Sequence, residues 1–306
     1  MPLFSVVIPT HNRAPLLPRS MTSLQRQSLP DFEAIIVDDG STDNTESVVH
    51  GLKDARFRYI RLDRNQGASN ARNVGVAHAE GLLISLLDSD DEYAHDFLEQ
   101  TAAALSETNE EVGFSWTGRT YLCFDEPHPG HKRRRLVEAI WTPPFSSREE
   151  ALAYCLTHDA PWGTGHGVTL KRGVLETVGG FDTSLHARED EDIFIRLVRE
   201  FDYVVIPRLL VTIHNDAPHR VDGNALNRAR AYDHMYAKYS DLIHPHEESR
   251  RFFVRMILNG YRDARQPGLA LRWFIGQLHG PARNSVLYRE FLHYLGREFI
   301  RYLART

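Results

Sequence analysis

Residues 82–91 read Leu82-Leu83-Ile84-Ser85-Leu86-Leu87-Asp88-Ser89-Asp90-Asp91: five aliphatic side chains and one hydroxyl, then three carboxylates in four positions. A short apolar run bounded by polar turn residues is the pattern of a strand covered on both faces, as in the interior of a parallel sheet. Three neighbouring carboxylates repel one another unless a cation or water compensates, and a hard divalent metal with oxygen ligands is a natural partner. Alternate residues of an extended segment point the same way, so Asp88 and Asp90 can face one ligand together. A solvated loop is the competing reading of so short a DxD pattern, and the buried strand ahead of it weighs against that reading.

Outward from this stretch, residues 4–9, 32–37 and 57–62 repeat the short apolar pattern. Between them lie three segments, 14–27, 44–52 and 69–79, with apolar positions three or four apart, which is helical spacing. Strands alternating with helices are the sequence sign of βαβ units on a largely parallel sheet. Ligands of such sheets collect beyond the carboxyl ends of the strands, which directs attention to the residues after Pro9, Val37 and Leu87. Further along, the pattern predicts a helix over 96–105, a strand over 113–122, a Pro- and His-rich loop over 124–132 and a strand over 167–170. A helix opening near Asp190 and an apolar run over 203–213 complete an α/β domain ending near His214. Beyond Ala225 everything reads as helix.

Two more acidic clusters occupy informative places. Asp38-Asp39-Gly40-Ser41-Thr42-Asp43 follows Ile35-Ile36-Val37. A strand-to-helix turn accounts for Gly40, as a positive-φ residue, and for Asp43, as a helix cap, but not for Asp38 or Asp39. A carboxylate at a strand end can accept a hydrogen bond from the N3–H of a pyrimidine. Glu189-Asp190-Glu191-Asp192 opens a helical pattern through Ile193, Phe194, Leu197, Val198 and Phe201. Acids at a helix N-terminus are favoured by the macrodipole, by about 0.3–1 kcal/mol each, so a structural role is open to all four. Spacing places Asp190 with Ile193 and Phe194 on the inward face, and Glu191 and Asp192 toward solvent or the helix edge. This makes Asp190 the candidate general base, with Asp192 as the alternative.

The composition is that of an ordinary folded chain: 306 residues, 42% hydrophobic and 25% charged, which excludes collagen-like, coiled-coil and wholly disordered proteins. The two cysteines, Cys123 and Cys155, lack the spacing of a zinc site or a disulfide framework, which suits a reducing cytoplasm. The N-terminus enters an apolar strand with no basic leader, so no signal peptide is expected, and no apolar run is long enough to span a bilayer. The net charge of −5 is unevenly spread. Residues 250–306 hold eleven arginines against Asp263, Glu290 and Glu298, a net +8, leaving −13 for residues 1–249. The C-terminal region carries apolar stripes at Phe252, Phe253, Met256 and Ile257 and at Leu287, Phe291, Leu295, Phe299 and Leu303, with arginines off the second stripe. Such stripes pack against a catalytic domain or a second copy in a homodimer, or lie on an anionic membrane at its inner face.

Together the motifs resemble the family 2 inverting glycosyltransferases of GT-A fold, over about the first 215 residues. The likeness rests on Ser5-Val6-Val7-Ile8-Pro9-Thr10-His11-Asn12-Arg13, Val37-Asp38-Asp39-Gly40-Ser41-Thr42-Asp43, and Asn65-Gln66-Gly67-Ala68-Ser69-Asn70-Ala71-Arg72-Asn73. It continues through Leu87-Asp88-Ser89-Asp90-Asp91, Val178-Gly179-Gly180-Phe181-Asp182, and Glu189-Asp190 ahead of Ile195-Arg196-Leu197. The fold it implies is α/β: a GT-A, Rossmann-like mixed sheet with flanking helices, plus a helical C-terminal extension. The catalytic domain would cover 1–220, with a nucleotide-binding half at 1–110 and an acceptor-binding half at 111–220, and the helical region would cover 221–306.

The resemblance also implies roles. Pro9, Thr10 and Asp39 would surround a uracil, with His11, Asn12, Arg13, Asp38, Gly67 and Asn70 in the same nucleotide site. Arg72 would lie against the base or diphosphate, Asp88 at the ribose, Ser89 in the same nucleotide site, and Asp90 on Mn²⁺ or Mg²⁺, with Asp88 an indirect metal contact. Asp190 would be the base, and His214 either a neighbour of the metal and diphosphate or a structural histidine. Trp162, His166 and Glu189 are candidates for the acceptor side. The implied partners are a nucleotide-diphosphate sugar and a hydroxyl-bearing acceptor, saccharide or lipid-linked saccharide, and no nucleic acid.

Departures narrow the reading further. No QxxRW motif or set of membrane spans is present, which argues against a processive polymerase, and Glu191 stands where relatives commonly carry an aromatic residue. A dinucleotide oxidoreductase would need G-x-G-x-x-G where Pro9-Thr10-His11-Asn12 stands, and a P-loop is absent. The remaining rivals are a sugar nucleotidyltransferase, whose Gly-rich N-terminal signature is missing, and a nucleotide-sugar binding module without turnover.

Overall fold

The computed structural model describes residues 1–124, 134–139, 145–159, 166–214, 224–278 and 285–303. The chain divides into two compact units. The first comprises residues 1–151, 161–183 and 193–218, and the second comprises 152–160, 184–192 and 219–306. Segments 152–160 and 184–192 precede the C-terminal helices in sequence and cluster with them in space.

The first unit contains β1 (Phe4–Thr10), α1 (Leu17–Gln25), β2 (Phe32–Asp38), α2 (Thr45–Gly51), β3 (Phe57–Arg61), α3 (Ala68–Ala77), β4 (Leu83–Leu87), β5 (Glu92–Tyr93) and α4 (Phe97–Ser106). It continues with β6 (Val112–Phe124), β7 (Arg134–Ala139), the start of α5 (Arg148–Cys155), β8 (His166–Lys171), α6 (Val174–Thr177), most of α7 (Glu189–Glu200), and β9 (Asp202–His214). The strands form one sheet in the order β3-β2-β1-β4-β8-β6-β9-β5, with β7 paired to β6. The first four strands are parallel, whereas β8 runs antiparallel to both β4 and β6. The sheet is therefore mixed rather than largely parallel.

Every residue of β1, β2 and β4 is buried, because helices cover both faces. Phe4, Val6 and Ile8 pack with Leu17, Met21 and Leu24 of α1 on one face. On the other, Ile35 and Val37 pack with Ala71 of α3. A Cβ on Gly75 of α3 would stand 2.2 Å from Val7 Cγ1, so the helix approaches β1 as closely as it does only because that residue is glycine. Burial of each Val, Leu, Ile or Phe side chain contributes about 1.5–3 kcal/mol, and it is this packing that holds the strand ends in fixed register.

The second unit contains α8 (Ala225–Lys238), α9 (Ser240–Ile243), α10 (Glu247–Asp263), α11 (Pro267–Leu278) and α12 (Ser285–Leu303). Asn224 caps α8 by accepting the N–H groups of Leu226 and Asn227. Leu185 and Ala187, from an earlier stretch of chain, pack on Ala231 of α8. Of the two anticipated apolar stripes, Phe253, Ile257, Leu287 and Phe291 are buried, Phe252 and Met256 are partly buried and Leu295 is exposed, while the side chains of Phe299 and Leu303 lie outside those described.

Candidate active site

The candidate residues gather at the ends of β1, β2 and β4. Thr10 and Asp38 are paired in register at the last positions of β1 and β2, and Asp39 N–H donates to the Thr10 carbonyl at 2.8 Å. The loop after β1 is sewn onto the turn after β2. The Asn12 side-chain oxygen accepts the N–H groups of Thr42 and Asp43, Asn12 N–H donates to Ser41 Oγ, and His11 Nδ1 lies 2.8 Å from the Asp39 carbonyl oxygen. Asn12 adopts φ 52°, a conformation asparagine tolerates. Gly40 has φ 70°, and a Cβ there would stand 2.7 Å from the Arg64 backbone, so this turn requires glycine.

The two aspartates of the turn do different things. Asp38 is fully buried; its carboxylate accepts Ser41 N–H at 2.8 Å and the Tyr59 hydroxyl at 2.5 Å. Desolvation and that carboxylate push the Tyr59 hydroxyl well above its ordinary pKa. Asp39 accepts Gln66 N–H at 2.8 Å through one oxygen and Gly67 N–H at 2.7 Å through the other, pinning the segment that leads into α3. Beside it opens a cavity of about 510 Å³ lined by Arg61, Leu62, Asp63, Arg64 and Gln66. Two buried hydroxyls nearby in sequence, Thr10 Oγ1 and Ser69 Oγ, have no hydrogen-bond partner.

At the end of β4 the carboxylates face cations. Arg13 Nη1 lies 3.1 Å from Asp90 Oδ2, and Arg19 Nη1 donates to the Asp90 carbonyl at 2.8 Å. Arg72, buried beneath Phe181 with its guanidinium 5.4 Å from the ring centroid, reaches Asp88 Oδ1 at 3.0 Å. Asp91 is buried and accepts the His214 backbone N–H at 2.9 Å, which ties β9 to this turn. The His214 ring Nε2 lies 2.9 Å from Glu92, a contact that holds the Glu92 carboxyl below its ordinary pKa. Among the described residues no three His, Cys, Asp or Glu side chains already converge on one metal position. The donors present are hard oxygens countered by arginine, and that chemistry fits a hard divalent cation, which Asp88 and Asp90 would hold.

The acidic N-terminus of α7 is arranged differently from what its period implies. Asp190 is partly exposed, whereas Glu191 and Asp192, expected toward solvent, are buried. Within the second unit, Asp192 accepts the Tyr239 hydroxyl at 2.6 Å and pairs with Lys238 Nζ at 2.7 Å. Glu191 lies 3.8 Å from Arg188 and 3.4 Å from the Tyr232 hydroxyl, and its charge adds to the burial that pushes the Cys155 thiol up. The face assignment fails because Glu191 and Asp192 are covered by Arg188, Tyr232, Lys238 and Tyr239 of the same unit, while Glu189 and Asp190 stay partly exposed. Asp192→Asn is accordingly expected to cost roughly 3 kcal/mol, the low end for a broken buried pair because Lys238 remains partly in water. Chemical denaturation checks this, and an unchanged midpoint would show that the pair contributes nothing.

The structure thus brings Thr10, His11, Asn12, Asp38, Asp39 and Gly67 together around one turn, and Arg13, Arg72, Asp88, Asp90 and His214 around the acidic end of β4. Pro9 and Ser89 are buried beside these groups in sequence, and Asn70 and Glu189 are partly exposed. Trp162 lies outside the described residues, as does most of the 124–132 loop, and His166 opens β8. Sequence reasoning passed over Arg19 and Glu92 and named Asp91 only as part of the acidic run. The acidic run itself marked Asp91, while Arg19 had no local signal.

The chain belongs to glycosyl transferase family 2, whose model matches residues 5–179. It is 43% identical over 96 residues to the GalNAc(5)-diNAcBac-PP-undecaprenol beta-1,3-glucosyltransferase of Campylobacter jejuni, covering 30% of this chain and 31% of that protein. The chain spans about half or less of the length of several curated relatives, 49% and 41% in two others. Among solved structures, it is similar to S. aureus TarS 1-349 in complex with UDP-GlcNAc, with a TM-score of 0.63 at 17% identity, covering 96% of this chain and 80% of that one. It is also similar to a Pyrobaculum calidifontis mannosyltransferase in complex with GDP-Man and Mn²⁺, with a TM-score of 0.57 at 18% identity, covering 96% and 87%. The shared fold is the GT-A fold, a mixed sheet with flanking helices, with C-terminal helices in addition.

Proposed function

We propose that the chain transfers a sugar from a nucleotide diphosphate donor, with uridine diphosphate as the carrier, to an acceptor hydroxyl with inversion at the anomeric carbon. The observation that carries this reading is the meeting of Arg13, Arg19 and Arg72 with Asp88 and Asp90 at the end of β4. That arrangement can hold a diphosphate and a divalent cation at once. Asp90, with Asp88, would hold Mn²⁺ or Mg²⁺, which supplies counter-charge to the leaving diphosphate. Arg72 orients the diphosphate. Asp190 takes the proton of the acceptor hydroxyl as its oxygen bonds to C1, and the C1–O bond breaks with its electron pair passing to the diphosphate. One displacement gives inversion. Glu189, Trp162 and His166 serve the acceptor, a saccharide or lipid-linked saccharide, in the synthesis of a polysaccharide, glycolipid or other glycoconjugate on the cytoplasmic side. Among the described residues no helix is long and apolar enough to cross a membrane.

Thermal shift across a panel of nucleotide sugars with Mn²⁺, followed by product analysis with the donor that stabilises most, tests this reading. Stabilisation without transfer or donor hydrolysis would leave a binding module instead.

The carrier base is tested separately, because the structural neighbours hold both a uridine and a guanosine donor. Asp39→Ala is expected to weaken uridine diphosphate about ten- to a hundredfold, the value of a charge-assisted hydrogen bond, and guanosine diphosphate less. Equal loss for both would assign Asp39 only to its hydrogen bonds with Gln66 and Gly67.

A further inference from the structure

The two last helices present an unusual surface. Phe274 of α11 stacks on Phe291 of α12 with centroids 3.9 Å apart and meets the edge of Tyr288, which sets the helices side by side. Leu271 and Ile275 form a row one turn apart on α11, and Tyr288, Leu292 and Leu295 form a row on α12, the Phe274–Tyr288 contact joining the two. All five side chains are about half exposed or more, Leu292 reaching 67%. They are five of the seven exposed large hydrophobic residues among those described, so the exposure is concentrated rather than scattered.

The charge around this apolar surface is mainly basic, with Glu247 of α10 as the exposed acid beside it, 3.7 Å from Arg289. Arg272 and Arg289 are exposed, and the one acid among the described side chains of the two helices, Glu290, is buried and paired with Arg255 at 2.7 Å. A twofold contact with a second copy would set this face against itself, with arginines outnumbering the one exposed acid beside them, Glu247, which already serves Arg251 and Arg289. An anionic bilayer answers both features: the headgroup boundary takes the aliphatic side chains and the tyrosine, and lipid phosphates take the guanidinium groups.

We propose that the paired face of α11 and α12 docks on an anionic membrane surface, with Leu271, Ile275, Leu292 and Leu295 entering the interface and Arg272 and Arg289 against lipid phosphates. Co-sedimentation with phosphatidylcholine vesicles, with and without phosphatidylglycerol, tests it. The wild-type chain is expected to pellet with the anionic vesicles at low salt, to be released at high salt, and to stay in solution with phosphatidylcholine alone. Arg272→Glu with Arg289→Glu, and separately Leu292→Asp with Leu295→Asp, should each weaken partitioning about tenfold or more without lowering the melting temperature, since all four residues are exposed. Several results would overturn the proposal. They are no pelleting at low salt, equal pelleting with neutral vesicles, either double variant pelleting like the wild type, or a wild-type dimer by light scattering that Leu292→Asp with Leu295→Asp converts to monomer.

Discussion

Asp90→Asn is expected to lower the rate of sugar transfer by roughly three orders of magnitude or more, and excess chelator to do the same to the wild-type chain. The Asp90 carboxylate accepts from Arg13 while Arg19 donates to the Asp90 backbone carbonyl, and a neutral amide neither holds a hard cation nor balances Arg13. Collapse of the fold does not account for the expected loss. Asp90 and Arg13 are each 21% exposed, and a pair so open to water contributes about 1 kcal/mol or less to stability. The melting temperature should therefore stay close to that of wild type while initial rates of product formation vanish. Arg13→Gln separates the roles within the pair, because it leaves the carboxylate in place and should weaken diphosphate binding more than it slows a saturated enzyme. Full transfer in excess chelator would remove the divalent cation from the reaction.

The parts of this site that sequence made legible are those built from neighbours in the chain. β1, β2 and β4 show as apolar runs because both of their faces are covered, and the acidic turns show as short motifs directly after them. Contacts across long separations left no trace: Arg13 meets Asp90 across 77 residues, and Asp192 meets Tyr239 across 47. β7 was missed because Arg134-Arg135-Leu136-Val137-Glu138-Ala139 has no clear alternation and owes its extended form to pairing with β6. The two-residue β5 is too short to have a period and exists through its register with Val211 and Thr212 of β9. Asp38 and Asp39 read alike as adjacent acids, and only hydrogen bonding distinguishes them. One holds Tyr59 and its own turn; the other holds the backbone of Gln66 and Gly67.

Asp190→Asn is expected to keep donor affinity within about twofold of wild type while lowering transfer about 10²- to 10⁴-fold, the usual contribution of a positioned base. The two acids that follow it in sequence have defined other work. Asp192 is fully buried with both Lys238 and Tyr239 on one of its oxygens, and Glu191 is buried beside Arg188 and Tyr232. A proton acceptor must reach the acceptor hydroxyl, and within Glu191-Asp192 neither carboxylate is open to it, whereas Asp190 is partly exposed in the same turn. Activity alone does not discriminate, because Asp192→Asn is also expected to lose activity, through loss of the folded state. Three measurements together do: donor binding, melting temperature and transfer rate for each variant. Asp190→Asn should fold and bind but not transfer, while Asp192→Asn should melt early and regain transfer at temperatures where it is folded. Transfer by folded Asp190→Asn at the wild-type rate, with folded Asp192→Asn inactive, would move the base to Asp192 and require its bonds to Lys238 and Tyr239 to open during turnover.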